Sequence, residues 1–149
     1  MIPMPTILAR LVPASYQPLP YFIERIPAGF PSPAAGYMEA SIDLNDLMID
    51  HPHATFLVRV EGLSMKDMGI YPDDLLVVDR SLEAKDGDII VCSIFGEFTV
   101  KELCCEPTPK LIAHNPDYPD IDITDESDFE VFGVVTNTIR TIKRNKHKR

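Results

Sequence analysis

Residues 88–103 read Asp-Ile-Ile-Val-Cys-Ser-Ile-Phe-Gly-Glu-Phe-Thr-Val-Lys-Glu-Leu. Two runs rich in β-branched and aromatic residues, Asp88–Phe95 and Glu97–Leu103, are separated by Gly96 alone, which is the pattern of a β-hairpin. The same composition recurs on either side. Thr55–Val60 and Leu75–Asp79 precede the hairpin, and Lys110–His114 and Phe129–Ile142 follow it. Gly, Pro and Asp stand between the runs. Six short strands punctuated in this way predict a mainly β fold of antiparallel strands.

Upstream the character is different. Pro3, Pro5, Pro13, Pro18, Pro20, Pro27, Pro31 and Pro33 crowd the first 35 residues. Proline fixes φ and removes a backbone donor, so a long helix or a central strand is excluded there. The segment reads as an extended, flexible arm whose apolar residues (Leu19, Tyr21, Phe22, Ile23, Ile26) can lie on a surface. A short helix is expected from Asp43, with Asp43 capping and Leu44, Leu47 and Met48 on one side. Residues 34–50 are the only helix-compatible stretch before the strands, so a helix-turn-helix is not expected. The organisation read from this is an arm over 1–35, a β domain over 36–142 and a basic tail over 143–149, with no internal repeat.

At 149 residues the chain suits one domain with a proper core. A 45% hydrophobic and 25% charged composition excludes wholesale disorder. No apolar run reaches the roughly 20 residues of a spanning helix. Met1–Pro5 lacks the basic and apolar regions of a signal peptide, so the cytoplasm is the expected compartment and no membrane contact is foreseen. Cys92, Cys104 and Cys105 are an odd count with two adjacent. They read as buried or half-buried thiols of a reducing compartment rather than a disulfide or metal framework. Six of the 14 basic residues fall in 140–149, leaving eight against 23 acidic residues before them, a net of −15. A body of that charge repels phosphates, which argues against specific DNA binding.

Two residues invite a chemical reading. Ser64 lies in Gly62-Leu63-Ser64-Met65-Lys66-Asp67-Met68-Gly69, just past a strand and before a possible helical turn. A hydroxyl at a strand end is exposed, and neighbouring backbone N–H groups there are free for an oxyanion. A serine in such a glycine-flanked stretch also reads as a turn or cap residue. The nucleophile elbow would need glycine at position 66, which is Lys66, and a Ser-x-x-Lys pattern would need lysine where Asp67 stands. His51, His53, His114 and His147 sit in no triad or metal-ligand context, and His51 and His53 read as surface residues flanking Pro52. No cofactor or metal is expected. Lys101 interrupts a β run. By alternation it shares a face with Thr99 and Leu103, opposite Phe98 and Val100. It is either a surface lysine or a buried one whose pKa burial lowers, and a neutral lysine can take a serine proton.

Ordered blocks of the sequence carry a resemblance that bears on this choice. They are Ala28-Gly29-Phe30-Pro31-Ser32-Pro33-Ala34-Ala35; Ile42-Asp43-Leu44-Asn45 to His51-Pro52; Gly62-Leu63-Ser64-Met65; Gly87-Asp88-Ile89 through Gly96 to Lys101; and Asp128–Val135. Together they resemble the LexA/UmuD family of self-cleaving serine peptidases, in its UmuD-type SOS mutagenesis branch, over roughly residues 28–142. Lys101 stands 37 residues after Ser64, in agreement with the family's catalytic pair. The sequence departs from the family at Leu63, where aspartate is usual, and Pro27 precedes the cleavage position.

The resemblance implies a LexA/signal-peptidase-like catalytic domain with Ser64 as nucleophile and Lys101 as general base. It places the scissile bond at Ala28-Gly29 and the oxyanion site at backbone N–H groups near Ser64. It further implies cleavage favoured by a RecA–single-stranded-DNA filament, a homodimeric product, and partnership with a UmuC-type lesion-bypass polymerase. A repressor of the LexA or phage type, an inactive relative that only binds partners, and a signal-peptidase-like enzyme are the alternatives. The first wants DNA-binding helices, which the proline-rich arm disfavours. The third wants a membrane segment.

Overall fold

The computed structural model describes residues 7–10, 16–23, 25–31 and 39–143. In chain order the strands are β1 (Ile7–Arg10), β2 (Pro18–Phe22), β3 (Glu39–Asp43), β4 (Thr55–Arg59), β5 (Leu75–Asp79), β6 (Ile89–Ile94), β7 (Glu97–Cys104), β8 (Lys110–Ile112), β9 (Ile121–Asp122) and β10 (Glu130–Ile139). One short helix, α1 (Leu44–Met48), and two 3-10 turns, Pro52–Ala54 and Lys66–Met68, complete the described elements. The chain divides into two units, residues 12–50 and residues 1–11 with 51–149.

The larger unit is one eight-stranded sheet in the order β1-β4-β5-β10-β6-β7-β8-β9, with every neighbouring pair antiparallel. All six strands expected from composition are present, and the mainly β, antiparallel class holds. The hairpin β6–β7 turns through Phe95 and Gly96, both at positive φ (50° and 79°), the two-residue connection whose twist matches that of its strands. β1 and β9 were not foreseen. β9 is two residues long, below what a composition window registers. β1 lies between Pro5 and Pro13, and it takes the one place in a sheet where missing donors nearby cost little, the edge.

The apolar character of β6, interrupted only at Ser93, follows from burial on both faces. Ile89 and Val91 belong to a cluster with Val58, Val60, Met65, Ile70, Leu76, Val78, Phe132, Phe98 and Val100. Ile90, Cys92 and Ile94 belong to a second with Leu103, Leu111 and Val134. Phe98 and Val100 on one side and Leu103 on the other follow the alternation expected of β7. Loops help close both clusters: Met65 and Ile70 enter the first, Ala84, Ile123 and Phe129 the second.

β10 crosses β5 closely at Gly133, where a Cβ would stand 2.6 Å from Val78 Cγ1 and 3.1 Å from the Asp79 carbonyl oxygen. Gly133→Ala is therefore expected to cost about 1–3 kcal/mol as overpacking, read as a lower urea midpoint. An unchanged midpoint would show that the β5–β10 pair separates freely. Just past the end of β10, Arg140 grips the buried Asp74 with Nε on Oδ1 at 2.7 Å and Nη2 on Oδ2 at 2.6 Å, and its Nη2 also donates to Gly69 O at 2.7 Å. The guanidinium holds the Asp74 carboxyl below the usual carboxylate range. It also ties the turn that follows Ser64 to the end of the sheet.

In the smaller unit β2 and β3 form an antiparallel ribbon from Pro18↔Asp43 to Phe22↔Glu39. Asp43 caps α1 as expected, accepting from Asn45 N–H at 2.7 Å through Oδ1 and from Gln17 N–H through Oδ2. No residue of α1 is buried, because a five-residue helix offers too little apolar face to cover. Leu19, Tyr21, Phe22, Ile23 and Ile26 are exposed, in keeping with their reading as surface residues of an arm. Ser32–Ala35 and residues 144–149 of the basic tail lie outside the described residues.

Candidate functional site

Ser64 sits in a turn built by its neighbours. Gly62 adopts φ +88°, a left-handed conformation that suits glycine. Met65 is buried in the first cluster and anchors the turn from below. The following 3-10 turn, Lys66–Met68, closes on Gly69, whose N–H donates to Lys66 O at 2.9 Å. Ser64 itself is half-buried. Among the described residues neither the Ser64 nor the Met65 backbone N–H donates a hydrogen bond, so this turn holds the free donors that an oxyanion requires.

Lys101 comes from β7, paired with Ile90 across the hairpin, and is only 6% exposed. Of the two readings left open by the sequence, the buried one holds. Its Nζ lies 3.0 Å from Ser64 Oγ, 2.7 Å from Thr99 Oγ1 and 3.2 Å from the Val100 carbonyl oxygen. Burial pushes the ammonium below its ordinary value of 10.5, and the Cys92 sulfur opposes this only as a lesser effect. The Cys92 thiol is itself pushed up to about 12 by burial, so at neutral pH its opposing effect is absent. No ion pair reaches Lys101 among the described residues.

The hydrogen-bond inventory of Nζ admits the neutral amine. A neutral amine has two donors and one lone pair. The Val100 carbonyl must accept, whereas the two hydroxyls can each donate or accept. With Val100 O and Thr99 Oγ1 accepting, the lone pair is left for the Ser64 O–H. Proton loss therefore leaves no group at this amine unpaired. Thr99 is a member of the site that the sequence reading placed on the right face without giving it a role.

A third segment follows β8, where the strand stops at Ile112 short of the expected His114, and the sequence reading assigned it no role. His114 N–H donates to Ser64 O at 2.8 Å, and Asp67 N–H donates to His114 O at 2.8 Å. The buried Asn115 donates through Nδ2 to Leu63 O at 3.0 Å. His114 Nε2 pairs with Glu102 Oε1 at 2.7 Å. Loop residues carry no periodic signal, so nothing in the sequence marked them. His51 and His53 are exposed, as expected, although His51 Nδ1 pairs with the buried Asp79 at 2.6 Å. Ala28 and Gly29 lie in an exposed bend of the smaller unit. Leu63 has an exposed side chain. The three cysteines are free, Cys92 buried and the other two half-buried, and no cluster of metal-ligating residues occurs among the described residues. No described helix is long and apolar enough to cross a membrane.

A serine hydroxyl against a buried lysine amine, beside free backbone N–H groups and on a mainly β frame, is an arrangement suited to peptide-bond cleavage. The chain belongs to the Peptidase S24-like family, which residues 20–136 match, and so stands among serine peptidases at the level of the family. It is 46% identical over 122 residues to Protein MucA of Salmonella typhimurium, covering 81% of this chain and 84% of that one. It is 49% identical over 117 residues to Protein SamA of the same species, covering 78% and 81%. Similarity to the LexA repressor of Pseudomonas chlororaphis is 38% over 120 residues, covering 79% of this chain and 59% of the repressor. The resemblance carried by the sequence blocks is borne out at the level of the family.

Proposed function

We propose that this protein is a self-cleaving peptidase that removes its own N-terminal arm at Ala28-Gly29, with Ser64 and Lys101 as its catalytic pair. The observation that carries the reading is the 3.0 Å contact between Lys101 Nζ and Ser64 Oγ, made by a lysine that burial drives toward its neutral form. In the proposed reaction Lys101 Nζ takes the Ser64 proton as Oγ bonds to the Ala28 carbonyl carbon. The oxyanion is held at the Ser64 and Met65 N–H groups. The intermediate collapses with loss of the Gly29 amine, which receives the proton from Lys101. Water, deprotonated in turn by Lys101, then frees the Ala28 carboxylate. Leu63 does not obstruct this scheme. Its carbonyl, common to every residue type, accepts from Asn115 and from Lys66, and its side chain is exposed.

The relatives named MucA and SamA support the UmuD-type reading. On that reading the chain would be a cytoplasmic protein organised as a 1–35 arm, a 36–142 domain and a 143–149 tail. A RecA–single-stranded-DNA filament would favour the cleavable pose. The product would dimerise and join a UmuC-type lesion-bypass polymerase. The test is incubation of the purified chain with activated RecA, followed by mass analysis of any new N-terminus. A fragment starting at Gly29 is expected, and any other new N-terminus removes the site assignment.

Thr99 gives the scheme an internal check. Thr99→Val keeps the shape but deletes a hydroxyl 2.7 Å from Nζ, leaving the amine short of an acceptor. Cleavage is expected to slow by about tenfold, the upper range for one hydrogen bond. Wild-type rates in Thr99→Val, followed on a gel, would show that the hydroxyl does not orient the amine.

A further inference from the structure

We infer that the 114–115 segment is a bracket that fixes Ser64 against Lys101, with His114 and Asn115 as positioning residues. The inference rests on the peptidase reading for its purpose and on geometry for its substance. Ser64 and Lys101 belong to different elements, a loop after β4 and the middle of β7, and the Ser64–Lys101 hydrogen bond cannot by itself hold them in register. It is made and broken by proton transfer during the proposed reaction. Something else must set the distance.

The 114–115 segment touches both sides of that gap. Toward the Ser64 turn it makes three hydrogen bonds within one short stretch: His114 N–H to Ser64 O, Asp67 N–H to His114 O, and Asn115 Nδ2 to Leu63 O. These engage the residue before the nucleophile, the nucleophile itself and the middle of the 3-10 turn. Toward Lys101 it is pinned by the His114 Nε2–Glu102 Oε1 pair at 2.7 Å, and Glu102 is the next residue of the same strand. The segment also starts from β8, which pairs Glu102 with Ile112, so the bracket is short and tied at its root. Asn115 is itself held: its Oδ1 accepts from Asp117 N–H at 3.0 Å and its carbonyl from Tyr118 N–H at 3.0 Å. A 4% exposed asparagine with donor and acceptor both committed is a rigid strut rather than a solvated loop residue.

Displacements of about 1 Å at a reacting pair can cost on the order of a hundredfold in rate. Loosening the bracket is therefore expected to slow cleavage without changing its pH midpoint, since Lys101 keeps its burial. Asn115→Ala removes the Leu63 contact, and His114→Ala removes the tie to β7. His114→Gln retains a side-chain N–H able to reach Glu102. The expected order of self-cleavage is wild type, then His114→Gln, then His114→Ala and Asn115→Ala, the last two slower by about tenfold or more.

Amide hydrogen exchange, measured on chains that also carry Ser64→Ala, gives a readout independent of activity. Exchange at Lys66 and Asp67, whose N–H groups bond to Leu63 O and His114 O, is expected to quicken in Asn115→Ala while β4 to β7 stay protected. Unchanged cleavage in both alanine variants, or unchanged exchange at those two amides, overturns the inference. So does loss of protection throughout the sheet together with failure of His114→Gln to restore the rate, because the segment would then serve folding alone. If instead cleavage persists in Ser64→Ala or Lys101→Ala, the peptidase assignment falls, and the exchange result still decides the bracket.

Discussion

Lys101→Ala and Ser64→Ala are each expected to abolish the fragment beginning at Gly29 while leaving a folded chain. Cleavage requires a base at the serine hydroxyl, and Lys101 Nζ is the titratable group that hydrogen-bonds Ser64 Oγ. His51 and His114, the histidines with described side-chain partners, are engaged with Asp79 and Glu102. Neither is hydrogen-bonded to Oγ and able to take over. For a nucleophile and base that act as a unit, removing either member costs nearly as much as removing both. The expected loss is on the order of a thousandfold or more. The double variant should thus be no slower than either single one. The fold is expected to survive Lys101→Ala because the amine contributes little to the core. Burial disfavours its charge, and its hydrogen-bond partners are two hydroxyls and one carbonyl near a half-buried surface that water can reach. Unfolding midpoints close to wild type, with no fragment after prolonged incubation, are the predicted pair of results. Cleavage at an undiminished rate in either alanine variant would sink the catalytic pair.

The strands of the sheet were legible because each is a run of β-branched and aromatic residues bounded by turn formers, and burial on both faces of β6 made that run unmistakable. The hairpin at Gly96 and the cap at Asp43 were legible because a single residue type does the work in each. β1, β2 and β3 were not. Prolines obscure the composition, and pairing at an edge or in a two-stranded ribbon leaves no alternation strong enough to read. Burial of Lys101 was also hidden. A lysine on a strand looks the same in sequence whether its amine reaches solvent or is covered by a loop, here the turn that carries Ser64. Alternation alone puts Thr99 on the correct face, but its partnership with Nζ depends on the rotamer that Lys101 adopts once buried. The bracket at His114 and Asn115 was invisible for a different reason. Three of its four bonds to the neighbouring elements end on backbone atoms, and backbone chemistry is the same for every sequence.

Self-cleavage is expected to accelerate as pH rises, and the direction follows from the burial of Lys101. Its folded pKa lies below the ordinary 10.5, so at neutral pH a fraction of the amine is neutral and competent, larger than for an exposed lysine. Below the folded pKa that fraction grows about tenfold per pH unit, and the rate should follow it before levelling off above that pKa. Stability carries the same signature with its sign worked through linkage. Between the folded pKa and 10.5 the unfolded chain binds more protons at this residue than the folded one, so stability rises with pH across that window. Below the window both states are protonated, and the folded state carries the full cost of a buried charge. Two measurements separate this from general alkaline effects. The rate of fragment formation between pH 7 and pH 10 should climb in the wild type and be absent in Lys101→Ala. On a Ser64→Ala background, which cannot cut itself, Lys101→Met should raise the urea midpoint at pH 7 and lose that advantage as pH rises through the window. A rate that is flat or falls with pH would mean that Lys101 already carries no proton at neutrality, or that it is not the base. Urea midpoints of the Ser64→Ala chain that already climb toward those of Lys101→Met as pH rises from 7 favour the first of these, and a gap that stays constant near pH 7 favours the second.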